Sequence, residues 1–428
     1  MTQPAPRELV ADLFRHRYGR MVTGLVRVLG ADRIDLAEDV VQEALLRALR
    51  TWPAEGVPDR PDAWVFRVAR NLALDALRRR HLATRIEDDL VRWAKTEVEA
   101  APHVHGAHDD GLGDDTLRMM FACCHPSVPS ETRVPLILKT VSGFSVQEIA
   151  AALLAKEGSI AQRLTRGKAR LGEMRVRFEV PTLSELPERL PLVLEVLYLM
   201  FNEGYRAHRG QDLVRQDLVE EAVRLCALLL EVPTTTRPEV HALLALMLML
   251  GARLPARTDA LGELLTLAEQ DRTRWDARWL HCGFDQFRRS IGGDTISTYH
   301  IEAAIASEHS AAADYAATNW PRLLHEYDRL LALTDTPIVR LNRAVVLAKV
   351  AGLEAALAEL AALERAPSLH NYFLLSATKA HMLWQSGDRE AAARELEHAL
   401  QLPCSAPEER LLRRRLQACR SGAAPPAW

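Results

Sequence analysis

The chain has almost no net charge: 54 lysines and arginines against 57 aspartates and glutamates leave −3 at pH 7, with a pI of about 6.6. That balance excludes a uniformly basic nucleic-acid-binding surface, so any such contact must come from local patches, which lie at Arg67 to Arg85 and Arg163 to Arg177. An apolar run of about 20 residues, a charged-then-apolar leader and a lipidation motif are all missing, and the protein is expected to be soluble and cytoplasmic, with no membrane partner. Cysteine is scarce. Cys123 and Cys124 are adjacent, Cys226, Cys282, Cys404 and Cys419 are scattered, and no CxxC occurs. This pattern does not make a disulfide framework, and free thiols are expected. His125 beside the cysteine pair, with His103, His105 and His108 nearby, suggests a metal site, but adjacent cysteines seldom ligate one ion together; no metal is expected, although paired thiols near a surface can be oxidised. With no nucleophile motif or phosphate loop either, neither enzymatic activity nor a cofactor is expected.

What the chain does contain is helical periodicity with charge sorted onto faces. In Asp35 to Trp52, DLAEDVVQEALLRALRTW, the residues Leu36, Val40, Val41, Ala44, Leu45, Ala48 and Leu49 form one apolar stripe, and Glu38, Asp39, Gln42, Glu43 and Arg47 are expected to face outward. One face folds and the other can bind. After a short Pro-rich break, PDAWVFRVARNLALDALRRR places Trp64, Val68, Leu72, Leu74 and Leu77 where they can pack inward. Arg67, Arg70, Asn71, Arg78, Arg79 and Arg80 then supply guanidinium and amide donors suited to phosphates and base edges.

A second pattern follows at Val134 to Arg177: helix, Gly-containing break, helix, tight turn and basic helix, the layout of a helix-turn-helix. Ser145 can cap a helix carrying Val146, Ile149, Ala150 and Leu153, with Glu148 completing a capping box. After a turn expected near Ala155 to Gly158, the helix Ser159 to Arg170 should turn Ile160, Leu164 and Ala161 inward, leaving Gln162, Arg163, Arg166, Lys168 and Arg170, with Ser159 at its start, toward a groove. Gly167 costs on the order of 1 kcal/mol relative to alanine in a helix interior, so fraying or bending is expected there.

Together the two patterns resemble regions 2 and 4 of bacterial sigma factors of the extracytoplasmic-function class. The resemblance implies an all-α fold and a transcription initiation factor. Residues 1–95 would be region 2, with Asp39, Gln42, Glu43 and Arg47 docking on core RNA polymerase, and with Arg67, Arg70, Asn71 and Arg78 to Arg80 on the minus 10 promoter region. Residues 116–180 would be region 4, reading the minus 35 element with Gln162, Arg163 and Arg166. Promoter melting would use no ATP, and the loop near Val57 to Asp62 would capture the flipped base. Between the regions, residues 96–115 lack periodicity and are rich in glycine, histidine and acid, as a flexible linker is. In related factors such a linker threads through polymerase channels, a path with which Asp109, Asp110, Asp114 and Asp115 are compatible.

Residues 181–428 exceed a two-region factor and are too apolar for disorder. Ser386 to Leu402, SGDREAAARELEHALQL, matches the second half of a tetratricopeptide repeat, with Gly387 at the turn and Ala392 and Ala399 at helix contacts; Gly352 precedes Gly387 by about one repeat length of 34 residues. Trp320 to Pro337 is a further half-unit. Glu203, Arg206, His208, Asp271, Arg272, Arg274 and Asp276 are dense enough to suggest a pocket, although ion pairs and helix caps explain them equally well. Across FACCHPSVP, LYLMFNEGY, LPARTDA and LLALTDTPIVRLNRAV, nearly the full length resembles the branch of these sigma factors with a C-terminal tetratricopeptide-like extension, commonly called the ECF42 group. The extension is expected to modulate activity through a protein partner. The alternative is a helix-turn-helix regulator that senses a ligand through its repeat domain and binds an operator without engaging polymerase; it has no use for the Asp35 to Trp52 helix.

Overall fold

A computed structural model describes residues 6–30, 33–79, 112, 114–173, 181–207, 214–293 and 295–426. Arg80, the linker residues 96–111 with their histidines and Asp109 and Asp110, and His208 lie outside them, as does the side chain of Arg79. The fold is all-α. Among the described residues the β geometry is confined to one isolated antiparallel bridge, Thr258 to Leu264. The chain divides into two compact units, Met1–Met200 with Glu231–Thr235, and Phe201–Leu230 with Thr236–Trp428.

The first unit opens with three helices, α1 (Pro6–Leu29), α2 (Ile34–Glu55) and α3 (Pro61–Arg79), packed against one another. The α2 stripe buries Ala37, Val40, Val41, Ala44, Leu45 and Ala48, and Trp52 meets Trp64 of α3 edge-on at 5.5 Å. Leu49, expected in that stripe, is 36% exposed. In α3 the apolar seam falls one position from where it was expected: Val65, Phe66, Ala69 and Ala73 are buried with Leu74 and Leu77, while Trp64, Val68 and Leu72 are only half-buried.

Four helices follow: α4 (Asp115–Cys123), α5 (Ser130–Thr140), α6 (Val146–Ala152) and α7 (Glu157–Glu173). Asp114 is the N-cap of α4, accepting from Thr116 N and Leu117 N, and Asp115 pairs with Arg118 at 3.1 Å. These two acids, expected in the linker, are thus engaged in starting a helix. The Ser145 capping box with Glu148 is formed. The turn after α6 comes earlier than expected. Leu154 holds the left-handed conformation with φ +49, Ala155 N donates to Ala150 O, and Gly158 is already in the first turn of α7.

Gly167 neither frays nor ends α7, which runs on to Glu173. It is buried against α5: a Cβ at this position would stand 3.3 Å from Thr132 Cβ and 3.4 Å from Thr132 Oγ1. Its value is the close crossing of two helices rather than local flexibility. Leu186–Met200, expected to begin the extension, belongs to the first unit as the start of α8 (Leu186–Tyr205), and Arg189 Nη1 donates to Phe121 O at 3.2 Å.

The second unit continues with α9 (Gln216–Leu229), α10 (Pro238–Gly251) and α11 (Ala277–Ser290). The segment Pro238–Ala256, contrary to the expectation of no such run, is long and apolar enough to cross a membrane by length and composition, yet 72% of it is buried. α10 packs against α9, α11 and α12 (Thr298–Ala311), and a helix apolar all round is what a core position requires. Antiparallel hairpins follow: α12 with α13 (Trp320–Leu333), α14 (Pro337–Val350) with α15 (Leu353–Leu363), and α16 (Phe373–Gln385) with α17 (Arg389–Ala399), closed by α18 (Ala406–Arg420). Gly352 and Gly387 occupy equivalent turns at φ +92 and +95, and Ala356, Ala392 and Ala399 are fully buried where small side chains let the helices close.

Candidate nucleic-acid and polymerase interface

The outer face of α2 carries exposed Asp39, Gln42 and Arg47 and half-buried Glu43. Gln42 Nε2 donates to Tyr18 OH at 3.3 Å, which steadies it against α1, and Glu43 pairs with Arg47 at 3.0 Å one turn on. An exposed pair of that spacing adds only about 0.3–0.5 kcal/mol, so both groups are cheaply redirected to a partner. Sequence periodicity missed two neighbours. Leu46 and Leu49 are 45% and 36% exposed on the same helix, an apolar addition to a polar outer face. Leu46 falls outside the i, i+4 spacing of the buried stripe, which was the available signal.

On α3, Arg67, Asn71 and Arg78 are exposed; Arg70 is half-buried and donates to Asn71 Oδ1 at 3.2 Å, and Arg78 stands 3.5 Å from Asp75. In the helix-turn-helix, Ile160 and Leu164 of α7 are buried. Gln162, Arg166 and Arg170 are exposed, and Ser159 and Arg163 are half-buried. Ala161, expected inward, is exposed, so the solvent face of α7 is wider than expected. Arg170 Nε donates to Ser127 O at 3.3 Å.

Lys168 is placed differently from its neighbours. Its Nζ donates to Asp35 Oδ1 and to Glu38 Oε2, each at 2.7 Å, both on the first turns of α2. Glu38 was expected to face outward and is only 6% exposed. Burial pushes its carboxyl above the usual range, against the pull of Lys168 and Lys139. Burial draws the Lys168 ammonium down, but the hydrogen bonds to Asp35 and Glu38 more than offset this and its pKa is raised. Such a pair adds little net stability, because desolvation cancels most of the attraction, whereas removing one partner strands the other.

The Cys123 and Cys124 thiols are buried, which raises both pKa values, that of Cys124 to about 12. At neutral pH they are thiols and not reactive thiolates, contrary to the condition that oxidation sensing would need. Among the described residues no group of three or more histidine, cysteine or acidic side chains is placed to hold a metal ion.

The dense polar stretches of the second unit serve as caps and ties. Asp271 caps a short 3-10 helix through Thr273 N, and Asp276 caps α11 through Arg278 N and Trp279 N. Arg272 Nη1 donates to His309 O and Ala312 O at 2.6 Å, Arg274 to Thr258 O at 3.2 Å, and Arg257 to Tyr205 O. Arg206 pairs with Glu408 at 2.6 Å. The Arg257 and Arg272 guanidinium groups satisfy carbonyls at the C-terminal ends of α8 and α12, where the dipole favours cations.

Comparison with known proteins adds three findings. The sigma-70 region 2 family matches residues 14–82, sigma-70 region 4 matches residues 118–171, and a family of unknown function, DUF6596, matches residues 189–291. An uncharacterized protein of Rhizobium meliloti is 38% identical over 386 residues, 90% of each chain. The ECF RNA polymerase sigma factor EcfG of Rhodopseudomonas palustris is 30% identical over 145 residues, 33% of this chain and 71% of that one, and the RNA polymerase sigma factor CarQ of Myxococcus xanthus is 30% identical over 166 residues, 38% and 87%. The chain belongs to the extracytoplasmic-function sigma-70 family. No solved structure matches it at a significant level. As a sigma factor it binds core RNA polymerase and promoter DNA and directs transcription initiation, with α1 to α3 as region 2 and α4 to α7 as region 4. The match to the Rhizobium protein carries the resemblance through the C-terminal extension, which the shorter sigma factors do not cover.

Proposed function

We propose that this sigma factor docks on the polymerase through the α2 face of Asp39, Gln42, Glu43 and Arg47, extended by Leu46 and Leu49. Arg67, Arg70, Asn71 and Arg78 to Arg80 engage the minus 10 region, and Ser159, Gln162, Arg163 and Arg166 read the minus 35 element, with Lys168 and Arg170 on phosphates. The observation that carries this reading is the sorting of α2: one face is spent on the core, and the other holds acids, an amide and two leucines open to solvent. The factor is cytoplasmic, acts without catalysing a reaction of its own, and belongs to the ECF42 group. Its extension stacks as tetratricopeptide-like hairpins, which support an interaction surface that modulates activity through a protein partner. Charge reversal of Asp39 and Glu43 tests the docking face: co-migration with core polymerase should be lost while helical content is unchanged, because both side chains lie off the core. Full binding by the folded double variant would overturn the assignment.

A further inference from the structure

In the extension, Lys349 stands exposed near the end of α14. Lys379, on the neighbouring α16, pairs with both Glu364 and Glu395, whereas Lys349 forms no ion pair among the described residues. Its Nζ lies instead 5.4 Å from the centroid of the Tyr315 ring and 5.7 Å from that of Trp320. The two rings steady the charge but neutralise none of it, so the ammonium is held in place and still open to an oxyanion. Lys349 lines a cleft of about 240 Å³, its open mouth included, between α14 and α16, the first helices of successive hairpins. Beside the lysine α14 lends Val345 and Ala348, and α16 lends Thr378, His381 and Met382. Thr378 and His381 are only 4% and 5% exposed, so polar groups are carried deep into an otherwise apolar wall. Arg415 and Lys349 are the charges that, after burial, hold His381 neutral. Glu269 partly offsets Arg415, which leaves Lys349 as the charge without a counter-ion.

We propose that this cleft anchors an acidic peptide segment of a partner protein: one carboxylate side chain enters between α14 and α16 and pairs with Lys349, and an aliphatic neighbour lies against Val345, Ala348 and Met382. This rests on the interaction surface proposed above for the extension and names the chemistry of its partner. Size favours a side chain over a free metabolite, because small-molecule sites typically enclose roughly 300–1,000 Å³. Charge favours a carboxylate over a phosphate group, since one uncompensated ammonium matches a single negative charge and not a near-dianion. The apolar walls around the pair exclude water from it, which is the arrangement that makes one anchoring residue carry most of a binding energy. Stacked hairpins extend the same face to either side, so the rest of the peptide has a surface to follow.

The test pans a displayed library of random decapeptides, flanked by neutral linkers, on the full chain and on its Lys349→Glu, Lys349→Arg and Gln385→Trp variants. Wild type should enrich peptides that carry an aspartate or glutamate beside a leucine, isoleucine or valine, and Lys349→Arg should enrich the same class. Lys349→Glu should lose it. Gln385 is an exposed lining residue, so Gln385→Trp overhangs the cleft without changing its charge and should lose the class as well. The best wild-type peptide should bind Lys349→Glu about tenfold more weakly or worse, the loss of one charge-assisted bond, and replacing its acid by the amide should cost as much. Circular dichroism checks that each variant is folded, and the two substitutions at Lys349 decide the matter if the tryptophan variant is not. The same peptides from Lys349→Glu, or no acidic class from wild type, overturns the anchor. Displacement of the peptide by free glutarate at equal concentration overturns it too, by making the occupant a small diacid. Promoter output in cells separates this from the role given to the extension: acidic peptides selected at Lys349 with unchanged output in Lys349→Glu would keep the anchor and remove the modulation, whereas altered output without selection would do the reverse.

Discussion

Replacing Gly167 with alanine sets two opposed terms of similar size against each other, and the structure decides between them. Removing a glycine from the interior of α7 gains about 1 kcal/mol in helix propensity. The added methyl would meet Thr132 Cβ at 3.3 Å and Oγ1 at 3.4 Å, with Leu136 Cδ2 at an ordinary 3.7 Å. Thr132 cannot easily yield. It is fully buried in the first turn of α5, and its hydroxyl is anchored to Pro129 O at 2.8 Å. Overpacking a tight core contact costs about 1–3 kcal/mol, so the net change should be a loss of roughly 1 kcal/mol. Hydrogen exchange of the full chain reads this locally: α5 and α7 amides should exchange about fivefold faster, while the second unit is unchanged. Because α7 would ride outward from α5, the presentation of Gln162 and Arg163 should shift and minus 35 binding weaken with it. Slower exchange by the full propensity gain would show that Thr132 moves aside, and close helix crossing would then not be the reason for the glycine.

That glycine also marks the boundary of what the chain reveals before it is folded. Periodicity was enough for the α2 stripe apart from Glu38 and Leu49, for the Ser145 cap and for the order of the helix-turn-helix, because each is written within a few consecutive residues. The α3 seam was displaced because arginines and leucines alternate there closely enough for two faces to look apolar, and packing on α1 and α2 chose Val65, Phe66, Ala69 and Ala73. Gly167 looked like a weak point from propensity alone, and only the approach of Thr132, 35 positions earlier, gives it a purpose. Lys168 is the extreme case. Its partners lie 130 and 133 residues away, so a side chain expected to face a groove is found on two carboxylates. In the extension, the glycine and alanine register at 352, 387, 392 and 399 was legible as hairpins, but Asp271, Asp276, Arg272 and Arg274 read equally as a pocket until their backbone partners were placed.

Leu154 holds φ +49 at the turn before α7, a conformation costing an L-residue about 1–2 kcal/mol, and its side chain is 48% exposed. Leu154→Gly should slow hydrogen exchange in α6 and α7; faster exchange would mean that the leucine packs usefully. Arg163→Ala should relax minus 35 discrimination by about 1–3 kcal/mol at one base position, whereas Arg170→Ala should weaken all sequences alike, a difference that competition binding across promoter variants reads directly. Truncation after Glu179 should destabilise region 4, because it removes the Arg189 bond to Phe121 O and the buried Leu190, Val193 and Leu194, while truncation after Met200 should not; equal exchange in α4 for both would refute this. Acid should weaken the second unit through His309 and His381, both held neutral with pKa about 3, His309 by burial and then Arg253 and Arg272, His381 by burial and then Arg415 and Lys349. The folded values are depressed below the ordinary 6.5, so the stability they contribute is present above that pH and is lost as pH falls toward 3. Between pH 6 and pH 5 the unfolded state holds about 1.5 to 1.9 protons on these two rings that the folded state refuses, a slope of about 2–3 kcal/mol per pH unit in a range where ordinary carboxylates scarcely titrate. Urea unfolding monitored through that unit should show this slope, and it should largely vanish in the His309→Gln, His381→Gln variant. A midpoint indifferent to pH between 6 and 5 would mean that these rings accept protons in place, with burial less complete in solution than the packing around them implies.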